Sequence, residues 1–330
     1  MIPETWSEER RMTVTAPPPT PVAPAKDAPA RKRRPATGAP ATRTLISAVD
    51  LDRHRVAYLV VLGLTLVVFC LVFLFPLYWM ASSALKSPQE FAQNPPTLVP
   101  HTVHPGTYAT AWDSMRIGRY FLNTVSYAFG GWLVQLTVDV AAAYALSKLR
   151  PMFGRVVLGA MLASLMLPAA ALLVPAYLTV TDVPLLHVNL LNTPWALWLP
   201  AAANAFSIYV LKRFFDQIPD DLLDAAAIDG AGRLRVLWSV VLPLSRPVLG
   251  VVSIFAIIGT WKDFLWPLLV LQDPDSQTLS VALSRLAGTS QVPPTQFLAG
   301  LVIASVPMIL IFLIFQRSII GGLSAGSLKG

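Results

Sequence analysis

An all-α integral membrane protein with six transmembrane helices is the fold class this sequence predicts, on three observations. Of 330 residues, 55% are hydrophobic and only 13% charged, whereas soluble domains carry about 25% charged residues; mean hydropathy is +0.58. Apolar runs near 57–80, 121–146, 156–180, 193–211, 247–271 and 297–319 each approach or exceed the ~20 helical residues that cross a bilayer. Basic residues are unevenly shared between alternate connections, as expected of a multi-pass protein.

Residues 1–56 precede the first run. Pro, Ala, Thr and charge dominate them, as in Pro17-Pro18-Pro19 and Ala28-Pro29-Ala30. Such a segment buries too little apolar surface to offset its ordering entropy, so a disordered basic cytoplasmic tail is expected, with translation starting at Met1 or Met12. A secretory leader does not fit, because the polar lead is long, the apolar run is full membrane length and no small-residue cleavage site follows.

The six runs come next, forming a transmembrane domain over 57–330. Tyr58, Tyr78, Trp79, Trp195, Trp198, Trp261 and Trp266 lie near run ends, where amphipathic rings favour the interface. Pro168, Pro175, Pro200, Pro267 and Pro307 fall inside runs, where they remove backbone hydrogen bonds and permit kinks. Cys70 is the single cysteine, which leaves no internal disulfide.

Charge orients the domain. Ten of the 25 Lys and Arg precede the first run. Lys148, Arg150, Arg155, Lys212, Arg213, Arg233, Arg235, Arg246, Arg317 and Lys329 share their side, making twenty. Lys86, Arg116, Arg119 and Arg285 face outside, and Lys262 lies within the fifth run. Both termini are therefore expected in the cytoplasm. The same distribution assigns the Arg31-Lys32-Arg33-Arg34 cluster to membrane topology and anionic lipid rather than to nucleic acid, despite an isoelectric point near 9.7. His101 and His104 are the only histidines close together, too few ligands for a metal site.

Between runs four and five lies a polar segment. Asp220 and Asp221 suit a helix N-terminus, as caps or as charges facing the dipole. Leu222 to Ile228 are good helix formers, and Gly230 can take the left-handed conformation that ends a helix. A second helix is expected from Arg233, with Leu234, Leu237 and Val241 on one face and Pro243 stopping it.

Asp224-Ala225-Ala226-Ala227-Ile228-Asp229-Gly230-Ala231, followed by Leu242-Pro243, resembles the cytoplasmic EAA loop of ABC-importer permeases. Phe75-Pro76-Leu77-Tyr78-Trp79-Met80, Ser83-Ala84-Leu85-Lys86 and Asn94-Pro95-Pro96-Thr97-Leu98-Val99-Pro100 look like the end of the first span, and the loop after it, in maltose-type sugar permeases. Tyr144 to Arg150, Trp261 to Leu268 and Gly322 to Gly330 resemble further segments of that family, so the likeness covers about 57–330.

That resemblance implies a carbohydrate-importer permease, the second of two different permease subunits, in the cell membrane. It would pair with a sister permease, two copies of a cytosolic ATPase and an extracytoplasmic sugar-binding protein. ATP and Mg would be bound by the ATPase, with no cofactor in this chain. Asp224, Ala225, Ala226, Asp229, Gly230, Ala231, Leu242 and Pro243 would couple to the ATPase. Two positions depart from the family: Asp224 stands where glutamate is usual, and Lys262 where asparagine is common.

The residues agree with part of this. A Walker A loop requires Gly-Lys before Ser or Thr, and no lysine here follows a glycine. His-Glu-x-x-His does not appear, and Gly-x-Ser-x-Gly occurs at Gly322-Leu323-Ser324-Ala325-Gly326, inside the C-terminal segment already likened to the permease family, so a transport subunit is expected rather than an enzyme. Asn123, Gln135, Asp139, Asn204, Ser253, Thr260 and Asp263 are candidates for the translocation pathway, since sugars are held by polar groups and aromatic faces. Hydrogen bonding between helices would account for the same residues. Alternative cargoes are a polyamine, a peptide or a phosphate ester. A self-sufficient secondary transporter is a further alternative, although no inverted repeat is evident.

Overall fold

The computed structural model describes residues 55–287, 289 and 291–327, with side chains described only as far as 316. The tail expected over 1–56 thus lies outside the described residues except for Arg55 and Val56, as do Leu328–Gly330 and the side chains of the Gly322–Gly330 motif. Two compact units divide the chain, 1–63 and 64–330. Of the first, only the opening turns of one helix are described; the helical bundle belongs to the second. Among the described residues all regular structure is helical.

Helix α1 spans Arg55–Ala84. Its residues from Leu64 to Leu77 leave their apolar side chains exposed, as lipid or a neighbouring span requires. The chain then folds back. After α2 (Pro88–Phe91), capped by Ser87 Oγ on the Glu90 N–H, Thr97 and His101 donate to Glu90 Oε1 at 3.1 and 2.8 Å. Lys86, assigned to the outside from charge, is a buried cation: it donates to the Thr97 carbonyl and lies 4.6 Å from the Trp79 ring centroid.

Helix α3 (Gly106–Ser114) leads through Arg116, at φ 51°, into α4 (Ile117–Tyr144). A π-helical turn, Ala145–Leu149, extends α4. α5 (Gly154–Ser164) and α6 (Ala169–Thr181) meet at 110°. α7 (Trp195–Ala201), α8 (Ala205–Phe215), α9 (Asp220–Ile228) and α10 (Arg233–Val236) follow. After a second π turn, Leu237–Val241, the chain bends by 85° into α11 (Arg246–Lys262). α12 (Leu265–Val270), α13 (Leu279–Ala287) and α14 (Pro294–Ser327) complete it.

The six expected spans are therefore not six continuous helices. Among the described residues three helices are long and apolar enough to cross a membrane, α1, α4 and α14, and the number rises to at most five when each of two bent pairs is counted as one span. The run 156–180 breaks at Pro168, which takes extended geometry and pushes its predecessor out of the helical region. The run 193–211 breaks where Asn204 caps α8, its Oδ1 accepting the Ser207 N–H at 3.0 Å. The run 247–271 breaks at Asp263 and Phe264. Hydropathy counts apolar residues and does not register where a backbone turn is inserted.

α4 is the mast of the bundle. At its N-terminal end, Ile117 packs with Ala84, Met115, Leu279 and Ala299. At its C-terminal end, Val140, Ala143 and Tyr144 pack with Ile208, Leu211, Phe215, Val236 and Val241. Between them, Trp198 Nε1 donates to the Tyr127 carbonyl at 3.0 Å. Its indole lies against Gly130, where a Cβ has no room. Gly130→Ala is expected to displace that ring at a cost of about 1–3 kcal/mol, lowering the thermal midpoint in detergent. Gly159→Ala, with nothing within 4 Å, should leave the midpoint unchanged or slightly raised.

Candidate functional site

The segment between α8 and α11 forms the expected helix–turn–helix. Asp220 and Asp221 lie in the first turn of α9, after Pro219 at the cap position, and neither side chain caps it. Gly230 has φ 78°. The Gly230 N–H donates to the Ala227 carbonyl at 3.0 Å and the Ala231 N–H to the Ala226 carbonyl at 2.9 Å. This is a Schellman motif, which requires the left-handed residue at that position.

The second helix departs from expectation. Pro243 does not stop it; helical geometry continues through Leu242–Leu244 and ends at Ser245. Pro243 comes just after the π turn, where the backbone ladder is already altered and its missing N–H is accommodated. Leu234 is 73% exposed, while Val236, Leu237 and Val241 are buried. Leu237 and Val241 keep a common buried face through the π turn, and Leu234, in the first turn of α10, lies outside it.

The inner face of this loop is anchored. Leu223, Ala226 and Ala231 pack on the cluster at the end of α4, and Tyr144 Oη donates to the Arg233 carbonyl at 3.1 Å. Lys148, whose side chain is 5% exposed, donates to the Ile218 carbonyl at 2.7 Å and pairs with Asp220 at 2.8 Å. Arg150 reaches the other Asp220 oxygen at 3.4 Å. Ser147 and Lys212 both donate to Asp216, at 2.7 and 2.8 Å. Burial works against the Asp216 charge, but those two hydrogen bonds prevail and hold its carboxyl below the usual value.

Among the described residues nothing covers the outer face. Asp224, Ala225, Ala227, Asp229 and Gly230 are exposed, Leu242 is half-buried, and Ile228 is 87% exposed. Asp221, Asp224 and Asp229 form no ion pair among the described residues. A rigid inner face and an acidic, apolar outer face make a surface suited to docking.

The pathway candidates separate into groups. Gln135, Asn204, Thr260 and Asp263 line one cavity of about 450 Å³, between α4, α8, α11 and α12. Asp139 lies fully buried behind them, accepting from Gln135 Nε2 at 3.2 Å and from the Asn204 N–H at 2.9 Å. Asn123 instead donates to the Asp275 and Gln277 carbonyls at 2.9 and 3.0 Å, pinning a distant loop, and Ser253 is not in the lining. Lys262 is exposed and does not pair with Asp263.

The cavity also holds residues that sequence reasoning missed: Thr124, Tyr127, Ser207 and Thr278, with Phe206, Phe255 and Trp266. Thr124, Tyr127 and Gln135 share one helical stripe of α4, a spacing that could have found the first two. Among the described residues no lysine or arginine lines it.

A family model for the inner membrane component of binding-protein-dependent transport systems matches residues 140–323. The chain is 32% identical over 269 residues to the diacetylchitobiose uptake system permease protein NgcG of Streptomyces coelicolor, covering 80% of this chain and 87% of that one. It is 32% identical to the sulfoquinovosyl glycerol transport system permease protein SmoH of Agrobacterium fabrum, covering 78% and 89%. It is 30% identical to the sn-glycerol-3-phosphate transport system permease protein UgpE of Yersinia pestis, covering 78% and 93%. Among solved structures, one chain of a bacterial ABC transporter that imports the acidic polysaccharide alginate shares the fold, with a TM-score of 0.70 at 24% identity over 83% of this chain and 99% of that one.

Two expectations follow from the site. Asp139→Leu strands the Asn204 N–H and should destabilise the protein by about 1–3 kcal/mol, read as a lower thermal midpoint; Asp139→Asn, which keeps an acceptor, should cost less. The hydrogen bond from Lys148 holds the Asp220 carboxyl below its ordinary 3.8. A depressed folded-state value stabilises above the ordinary one and is lost as pH falls through the folded one. Amide-exchange protection of α9 should therefore hold above pH 3.8 and fall below it, whereas Lys148→Met should weaken it across the range.

Proposed function

The chain belongs to the family of inner membrane components of binding-protein-dependent transport systems, and on that premise we propose that it is one of two permease subunits of an ATP-driven sugar importer. The observation that carries this reading is the Asp224–Pro243 segment, fixed along its inner face and open along its outer one. A cytosolic ATPase binding there would transmit its motion through Lys148, Asp220 and the packed Tyr144 to α4. The charge distribution supports a cytoplasmic location for this loop and for both termini.

Alternating access would follow. A loaded extracytoplasmic binding protein docks outside, ATP closes two ATPase copies held by this chain and a sister permease, and the two permease halves rock. ATP and Mg belong to the ATPase. Among the described residues the cavity in this half offers hydrogen-bonding side chains, aromatic faces, one carboxylate and no cation, which suits an uncharged, hydroxyl-rich solute. A phosphate ester or acidic sugar would meet Asp263 without a compensating charge.

Asp224→Lys should abolish uptake and the co-purification of the ATPase while membrane insertion persists. Gly230→Val, strained at φ 78°, should do the same. Normal uptake and ATPase recovery in both variants would remove the coupling assignment. Mass spectrometry of the complex from native membranes should recover a sister permease, an ATPase with a Walker motif and a binding protein; the chain recovered alone would favour a self-sufficient transporter.

A further inference from the structure

A second hollow, of about 500 Å³, lies at the other end of α4, where the chain leaves its span. Its walls are Leu146, Ser147, the loop over 150–152, the first turns of α5, and Lys212 and Asp216 at the end of α8. Arg150, Arg155 and Lys212 line it against the single carboxylate of Asp216. That carboxylate is already engaged by Lys212 and Ser147. Arg155 is exposed and forms no ion pair among the described residues. Arg150, held by its Nε on the Ser147 carbonyl at 3.2 Å, meets Asp220 only at a long 3.4 Å, and Asp220 is also held by Lys148. Counting those neighbours, Lys148, Arg150, Arg155 and Lys212 face Asp216 and Asp220, an excess of two positive charges.

The surroundings are apolar in a way that a water-facing phosphate site does not need. Leu146 and Leu158 form part of the wall. Met152, in the same loop, is 86% exposed, Phe153 beside it is exposed, and Val156 and Val157 continue the apolar surface along α5. A cationic hollow with apolar sides, opening onto exposed apolar residues at a membrane-span terminus, matches a phospholipid: phosphate inside, acyl chains along α5.

We propose that this hollow binds the headgroup phosphate of an anionic phospholipid, through Arg150, Arg155 and Lys212. Because Lys212, Ser147 and Asp216 belong to the network that anchors α9, an occupied hollow would also stiffen the base of the docking loop.

The test uses the importer complex purified in mild detergent and exchanged into mixtures of phosphatidylglycerol and phosphatidylcholine, with retained lipid read by native mass spectrometry. The complex should retain phosphatidylglycerol over phosphatidylcholine. Arg150→Gln with Arg155→Gln should lower that retention by roughly fivefold per arginine removed, and Arg155→Lys should restore most of its share. Unchanged thermal unfolding of the variants shows that they fold; if the double variant unfolds early, each single variant is read instead. Equal retention of both lipids, or retention indifferent to the arginines, overturns the proposal. So does release of the lipid by inorganic phosphate, which would assign the hollow to free phosphate. Loss of the ATPase from the double variant with lipid retention intact would assign the arginines to the ATPase interface and also overturns it.

Discussion

Inside a bilayer no water is at hand for an orphaned backbone group, and each one left unpaired costs several kcal/mol. This constraint shapes the chain, because three of its apolar runs are broken. Each break exposes N–H and carbonyl groups that must find partners within the protein. At the second break the solution is explicit: Asp139 on α4 accepts the Asn204 N–H, and the Asn204 side chain then caps α8. A carboxylate in an apolar bundle is costly by itself. Here it is held by Gln135 and by a backbone group that would otherwise have none.

The same helix organises both ends of the molecule. Near its N-terminus, Asn123, Thr124 and Tyr127 bind the loop over 275–279 through its backbone. Near its C-terminus, Tyr144, Ser147 and Lys148 hold the entry and the second helix of the helix–turn–helix segment. Displacement of the loop is thereby tied to α4, and α4 lines the cavity. Under the proposed function, this continuity would carry motion from the helix–turn–helix surface to the cavity.

Charge in this chain is placed by what each group must do. Lys86 and Lys148 are buried and satisfied by carbonyls, so they act as clamps. Asp221, Asp224 and Asp229 are exposed and unpaired among the described residues, so their charge remains available to a partner. Net charge and isoelectric point cannot make that distinction, since they weigh a clamp and a docking group equally.

The helical membrane class, the position of the helix–turn–helix between runs four and five, and the glycine on which its turn depends are all legible in the order of residues. Those features are local: hydropathy is a sum over neighbours, and the left-handed requirement at Gly230 is a property of one residue. The sequence also pointed to Gln135, Asn204, Thr260 and Asp263, because polar groups in apolar runs are conspicuous. Long-range packing is what brings these four to one cavity, puts Asp139 behind it and ties Asn123 to a distant loop. The fold alone shows where the apolar runs break and that Leu234 faces outward, since a capped helix break leaves no trace in hydropathy. These outcomes depend on which side chains, far apart in the chain, meet a backbone group that needs a partner.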